Sequence, residues 1–115
     1  MAERTACKCM TPPLDYRDFE PHPASEQFSD DRHGGEITVE TCRHCGTHWL
    51  HYFVEYPAFT SSGRWCRGVV TDDELSRLTT DNALSFLESL PWYLYGGSYF
   101  DTPGKLGKGP FHAGL

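Results

Sequence analysis

Hydrophobic and polar positions alternate most clearly in the middle of this chain. In the stretch "EITVET", Ile37 and Val39 alternate with polar residues, as in a half-buried strand. The following stretch "THWLHYFVEY" is rich in aromatic and β-branched residues, and "RWCRGVV" has a similar composition, so both are also predicted to be strands. These three segments predict an antiparallel meander.

The same alternation gives the central strand two different faces. Counting along the strands places Cys66 near Val54, on the face that also carries Leu50 and Tyr52. The opposite face carries three further large side chains, Trp49, His51 and Phe53. Because both faces bear large side chains, we expect each of them to be covered in part.

The pattern becomes helical after the third predicted strand. Thr71 and Glu74 match a capping box, which predicts a short helix near residues 72–78. A second helix is predicted near residues 81–90, and its leucines fall on one face: Leu84, Leu87 and Leu90. We expect both helices to pack on the sheet.

The two ends of the chain have no clear periodicity. Proline, glycine and acidic residues dominate the first 35 positions, which reads as an irregular arm, and glycines dominate the last 24. The chain is therefore predicted to be a single α+β domain with a small three-stranded antiparallel sheet, two short helices and a loop-rich tail. Its parts are the arm at 1–35, the sheet at 36–71, the helices at 72–91 and the tail at 92–115.

Composition predicts the cellular compartment of the protein and the class of partner that it can bind. The formal net charge is -6, which opposes binding to phosphate backbones. No apolar run is long enough to span a membrane, and the N-terminus lacks the apolar core of a signal peptide, so we expect a cytoplasmic protein. Thiols remain reduced there, which favours metal ligands and free thiols over disulfides for the five cysteines.

Four of the cysteines form two closely spaced pairs. In Cys42-x-x-Cys45-Gly46, the two-residue spacer lets both sulfurs turn toward one ion, and the glycine can adopt a positive φ. In Cys7-x-Cys9, both sulfurs project to the same side of an extended segment. We predict that these four thiolates hold one structural zinc ion.

Other interpretations of these residues stay open at the level of sequence. His44 or His48 could replace Cys7 or Cys9 as a ligand, or the thiols could be buried without any metal. The three histidines near the second pair could form a further metal or catalytic site, although hydrogen-bonded, half-exposed rings are the commoner meaning of such residues. Cys66 is expected to be a packed thiol and not a nucleophile paired with His51, because the two face opposite ways.

The two pairs, followed by antiparallel strands, resemble the zinc-ribbon class of small metal domains. The resemblance covers about residues 5–70, with a long insertion between the pairs, and it departs from the usual pattern in the one-residue spacer between Cys7 and Cys9. It implies a zinc site. Since zinc ribbons serve as structural elements, nucleic-acid readers and protein adaptors, it does not imply one function.

A non-enzymatic role is the function that the sequence favours. An acidic protein without a convincing catalytic constellation fits a protein-interaction module, such as an adaptor, a regulator or an immunity-type antidote to a basic toxin. One alternative is a nucleic-acid-binding ribbon that uses a patch of cationic and stacking side chains: Arg43, Arg64, Arg67, Trp49 and Trp65. A small metal-dependent enzyme is the other alternative, but four thiolates would leave zinc no position for water.

Overall fold

Six antiparallel strands form the sheet on which the other elements pack. The computed structural model describes residues 7–55, 63–97 and 102–111. The strands are β1 (Phe19–Pro21), β2 (Glu36–Cys42), β3 (His48–Val54), β4 (Arg64–Val69), β5 (Tyr93–Gly97) and β6 (Thr102–Gly107). Strands that follow each other in sequence are also neighbours in the sheet, from β1 at one edge to β6 at the other.

The helices are few and short. Between β4 and β5 the chain forms α1 (Asp72–Leu75) and α2 (Ala83–Ser89). Three 3₁₀ helices lie in the arm, at Lys8–Met10, Tyr16–Asp18 and Pro23–Gln27. Within the described ranges, none of the helices has the length and apolarity that crossing a bilayer requires.

The prediction of a three-stranded sheet is wrong, because the arm and the tail both contribute strands. β2, β3 and β4 correspond to the three predicted segments, but β1 pairs with β2, placing Phe19 opposite Cys42. In the tail, β5 pairs with both β4 and β6. β5 begins with three large hydrophobic residues, Tyr93, Leu94 and Tyr95. The glycines that follow them led to the prediction of a loop.

One face of the sheet, here called the helix-side face, is covered by α1 and α2. Its apolar cluster joins alternate strand residues to helix residues, including Val39, Leu50, Tyr52, Cys66, Leu75 and Leu87. Cys66 lies opposite Tyr52 and not beside Val54. The register differs from the prediction by two residues, so Cys66 remains on the same face as Leu50 and Tyr52. Leu87 packs directly over Gly68, where a Cβ atom would lie 2.9 Å from the Leu87 Cδ2 atom.

The two helices begin close to where the sequence predicts, but they are shorter. The capping box of α1 is present, because the Thr71 hydroxyl accepts from the Glu74 amide and the Glu74 carboxylate accepts from the Thr71 amide. α1 was expected to continue to residue 78 and ends at Leu75, and α2 covers less than the expected 81–90. Threonines and an asparagine separate the helices, and such residues favour turns over helical turns.

The opposite face, here called the arm-side face, is covered by the first residues of the described chain. Its apolar cluster contains Cys9, Met10, Phe19, Cys42, Trp49 and Leu94. Trp49 and Leu94 are fully buried, although the arm that covers them has little regular structure. Both faces of the sheet are therefore covered, as the alternation in β3 predicted.

Candidate metal centre

Four sulfur atoms from distant parts of the chain meet at the edge of the arm-side face. The four Sγ atoms all lie within 4.8 Å of one another, and they belong to Cys7, Cys9, Cys42 and Cys45. The Cys7 Sγ is 3.6 Å from the Cys42 Sγ, and the Cys9 Sγ is 3.6 Å from the Cys45 Sγ. The structure thus brings together all four cysteines that the sequence singled out as ligands.

The second pair is positioned by the turn between β2 and β3. Gly46 adopts a φ of 78°, and its amide donates to the Cys42 carbonyl at 3.0 Å. The Cys42 amide donates to the Thr47 carbonyl at 2.9 Å, which closes the turn from the other side. The amide of His44 points at the Cys42 sulfur at 3.4 Å, as amides do toward sulfur ligands.

The first pair lies in a turn and not in the extended segment that the sequence suggested. Cys7 precedes the 3₁₀ helix Lys8–Met10, and the Met10 amide donates to the Cys7 carbonyl at 3.0 Å. The turn still directs both sulfurs toward the second pair. Lys8 contributes an ion pair with Asp18, with 3.2 Å between its Nζ and the Oδ1, which ties the arm to the start of β1.

The sulfur positions fit a tetrahedral thiolate centre. With zinc–sulfur bonds of about 2.3 Å, two sulfurs of a regular tetrahedron are about 3.8 Å apart. Two of the six sulfur separations are 3.6 Å, close to this value, and the other four are no longer than 4.8 Å. Among these residues, Cys9 and Cys42 are buried and Cys45 is exposed, so the centre would lie at the boundary between the core and solvent.

Three of these thiols have a pKa shifted from the usual value, in different directions. Burial, followed by hydrogen bonds from the other thiols, raises the pKa of Cys9, and burial raises the pKa of Cys42. At Cys45 burial acts in the same direction, but hydrogen bonds from Thr47, Cys7 and Cys9 outweigh it and lower the pKa to about 6. A divalent cation would therefore have to displace protons from the buried thiols.

No known protein family, curated protein or solved structure matches this chain. The cysteine pairs resemble those of zinc ribbons, but no family is identified. A metal centre is therefore inferred from the sulfur geometry and from thiolate chemistry.

The histidines near the second pair have partners of their own. The His44 Nε2 atom is 2.9 Å from the Asp18 Oδ1, and this hydrogen bond, followed by Lys8, lowers the pKa of Asp18. The His48 Nδ1 atom is 2.9 Å from the Thr41 hydroxyl, on the helix-side face. The four-sulfur set is thus complete without either histidine.

A second group of potential ligands, which the sequence did not reveal, contains His22, His48 and Asp72. The His48 Nε2 atom is 3.4 Å from the Asp72 Oδ1, and the two imidazole rings meet edge to face with centroids 4.7 Å apart. However, the His22 Nδ1 accepts a hydrogen bond from the Ala24 amide at 3.0 Å. The neutral ring then carries its proton on Nε2, so this nitrogen has no lone pair for a metal.

The other candidates from the sequence are distributed over both faces. Cys66 is fully buried on the helix-side face, where burial raises its pKa well above the usual value, so it is a packed thiol. Trp49, Arg64 and Arg67 are buried too, so they cannot form a surface patch for nucleic acid with Arg43. Arg43 is exposed and pairs with Glu20, with 3.2 Å between Nη1 and Oε2.

Proposed function

We propose that this chain binds one zinc ion through Cys7, Cys9, Cys42 and Cys45, and that the ion fixes the arm to the sheet of a non-enzymatic interaction module. The observation that carries the proposal is the convergence of four sulfurs within 4.8 Å of one another, with two of their separations close to the tetrahedral value. Thiolate sets of this kind suit zinc, and iron can occupy them as well. Only the metal content of the purified protein can distinguish the two.

A structural role follows from the number of ligands. Four thiolates saturate a tetrahedral zinc ion, so water or substrate has no free position. The arm contributes two ligands and covers the buried Trp49 and Leu94. Metal binding therefore contributes directly to burial on the arm-side face, and its free energy becomes folding free energy.

The role as an interaction module is supported by charge. The chain has 16 acidic and 10 basic residues, which favours a partner with a basic surface over a polyanion. The acidic charge therefore favours a protein partner over nucleic acid. Such a partner is expected for an adaptor, a regulator or an antidote to a basic toxin. Four ligand thiols also need a reducing compartment, which fits the cytoplasm.

Metal analysis combined with thermal unfolding tests the structural site. We expect one zinc per chain, release of protons on binding, weaker binding as pH falls, and a lower melting temperature after chelation. Restoring zinc should restore the melting temperature. An unchanged melting temperature after verified metal removal would refute the structural role.

Affinity capture from the native host tests the interaction role separately. The zinc-loaded chain should retain a specific protein at micromolar concentration, and added salt should weaken the complex if charge complementarity contributes. Capture with the chelated protein is the matched control. If no protein is retained by the zinc-loaded chain, the module is not an adaptor of the kind proposed.

A further inference from the structure

A cleft lies between the arm and the arm-side face, and none of its lining residues is one of the four cysteines. It has a volume of about 200 Å³ and is lined by Leu14, Tyr16, Phe19, His51, Trp65 and Arg67. Pockets for drug-sized ligands start near about 300 Å³, so this cleft has room for a single small ring system. Most of its lining is aromatic, and the imidazole of His51 stacks on Trp65 with 6.2 Å between centroids.

Arg67 lines the cleft, and its side chain has hydrogen-bond donors without an acceptor among the described residues. Arg67 is only 7% exposed, and its Nη2 donates to the Glu40 carboxylate. Its Nε and Nη1 atoms are buried and have no hydrogen-bond partner within the described part of the chain. A buried donor without a partner destabilises the folded chain, so an acceptor is expected at this place.

The charges around the cleft disfavour both cations and anions. The guanidinium of Arg67 already occupies the face of Phe19, at 4.2 Å from the ring centroid, so an ammonium ligand would meet a positive charge there. Glu40 neutralises Arg67, and the chain as a whole carries -6, which disfavours phosphates. Burial, followed by the charge of Arg67, lowers the pKa of His51 to about 3, so the imidazole is neutral at physiological pH.

We propose that this cleft binds one neutral planar heterocycle of the nucleobase class, which stacks against Trp65 and Tyr16 and accepts hydrogen bonds from Arg67. A base offers both a π face and ring or carbonyl acceptors. A phenylalanine side chain has no acceptor, and the indole of a tryptophan only donates, so these two side chains of a protein partner fit less well. Tyr16 is 84% exposed at the rim, where it is available to cover a bound ring.

This site goes beyond the proposed function and depends on it only through the arm, which supplies Leu14, Tyr16 and Phe19. The test titrates the zinc-loaded chain with adenosine, guanosine, cytidine and uridine and follows the assigned NMR signals of the Trp65 indole and the Arg67 Nε–H group. At least one nucleoside should give saturable shifts at both groups. If none of the four does so at millimolar concentration, the proposal is refuted.

Two variants with matched chemistry locate the binding. Tyr16→Ala removes an exposed ring at the cleft and should weaken nucleoside binding by about fivefold or more. Leu106→Ala removes the other exposed large hydrophobic side chain of the described residues, which does not line the cleft, and should leave the affinity unchanged. Unchanged affinity in Tyr16→Ala would also refute the proposal. Both variants should keep their zinc and melting temperature, so failure here is distinguishable from failure of the metal site.

A single-stranded oligonucleotide distinguishes the two sources of a base. If the natural ligand is a free base or nucleoside, the oligonucleotide will bind no more tightly than the nucleoside, because the acidic chain repels its phosphates. If the source is a nucleic-acid strand, the oligonucleotide will bind more tightly, and its affinity will fall steeply with salt. This comparison is made only after the titration has shown that a nucleoside binds in the cleft.

Discussion

The two faces of the sheet are covered in different ways. On the helix-side face, leucines from α1 and α2 lie on alternating strand residues such as Val39 and Leu50. On the arm-side face, an irregular arm covers Trp49 and Leu94 and contributes mainly two cysteines, Met10 and Phe19. The first face is closed by hydrophobic packing alone, whereas at the edge of the second four sulfurs lie within 4.8 Å of one another.

Because of this difference, a bound metal would stabilise the arm-side face more than the helix-side face. Ordering an arm with little regular structure costs conformational entropy, which works against the free energy of its apolar contacts. A metal bound by two cysteines of the arm and two of the hairpin closes a long loop and adds its binding free energy to that face. The helix-side face should therefore be independent of metal, and the arm-side face should depend on it.

The largest expected effect is a difference in metal content and melting temperature between two cysteine-to-alanine variants, one on each face. Cys9→Ala should abolish stoichiometric metal binding and lower the melting temperature by roughly 10 °C or more, because loss of a structural metal is among the most destabilising changes. Cys66→Ala removes an equally buried thiol from the helix-side face and should keep one metal per chain. Its cost should be about 1 kcal/mol.

Metal analysis and thermal melting of the two cysteine variants provide the check. Alkylation adds a second readout, since the Cys42 and Cys45 thiols should become reactive in Cys9→Ala and stay protected in Cys66→Ala. Metal loss in Cys66→Ala, or full retention in Cys9→Ala, would show that the ligands are assigned to the wrong face.

A smaller effect is expected from a core truncation under the helices. Leu87 is fully buried on Gly68, so Leu87→Ala should reduce the free energy of unfolding by about 2–5 kcal/mol while the metal content stays unchanged. Ser85→Ala, at an exposed position of the same helix, is the control and should be nearly neutral. Denaturant unfolding measures both, and loss of zinc in folded Leu87→Ala would contradict the independence of the two faces.

The smallest effect concerns the start of α1. Thr71→Ala removes the hydroxyl that accepts from the Glu74 amide at 3.1 Å and should cost about 1 kcal/mol, with no change in metal content. Glu74→Gln keeps a side chain that can complete the capping box, so it should cost less. Unchanged stability in Thr71→Ala would mean that the Thr71 hydroxyl does not stabilise the helix.

Several features of this protein are determined by the sequence alone. Alternation identified β2, and aromatic and β-branched composition identified β3 and β4. The period of two along a strand then assigned Leu50 and Trp49 to opposite faces. The capping box located the start of α1, since its hydrogen bonds join residues only three positions apart. The cysteine spacing selected the four sulfurs that meet, because metal ligands need particular residue types at close range.

Other features were decided only by the tertiary structure. β1 and β6 form because an existing strand edge offers them hydrogen-bond partners, and a stretch such as Phe19–Pro21 is too short and too polar to indicate a strand alone. The six-stranded sheet was therefore missed. The cleft likewise combines Tyr16 of the arm with Trp65 and Arg67 of β4, and the burial of Arg67 beside Glu40 depends on strand register. Contacts between residues distant in the chain have no local pattern, so packing alone brings them together.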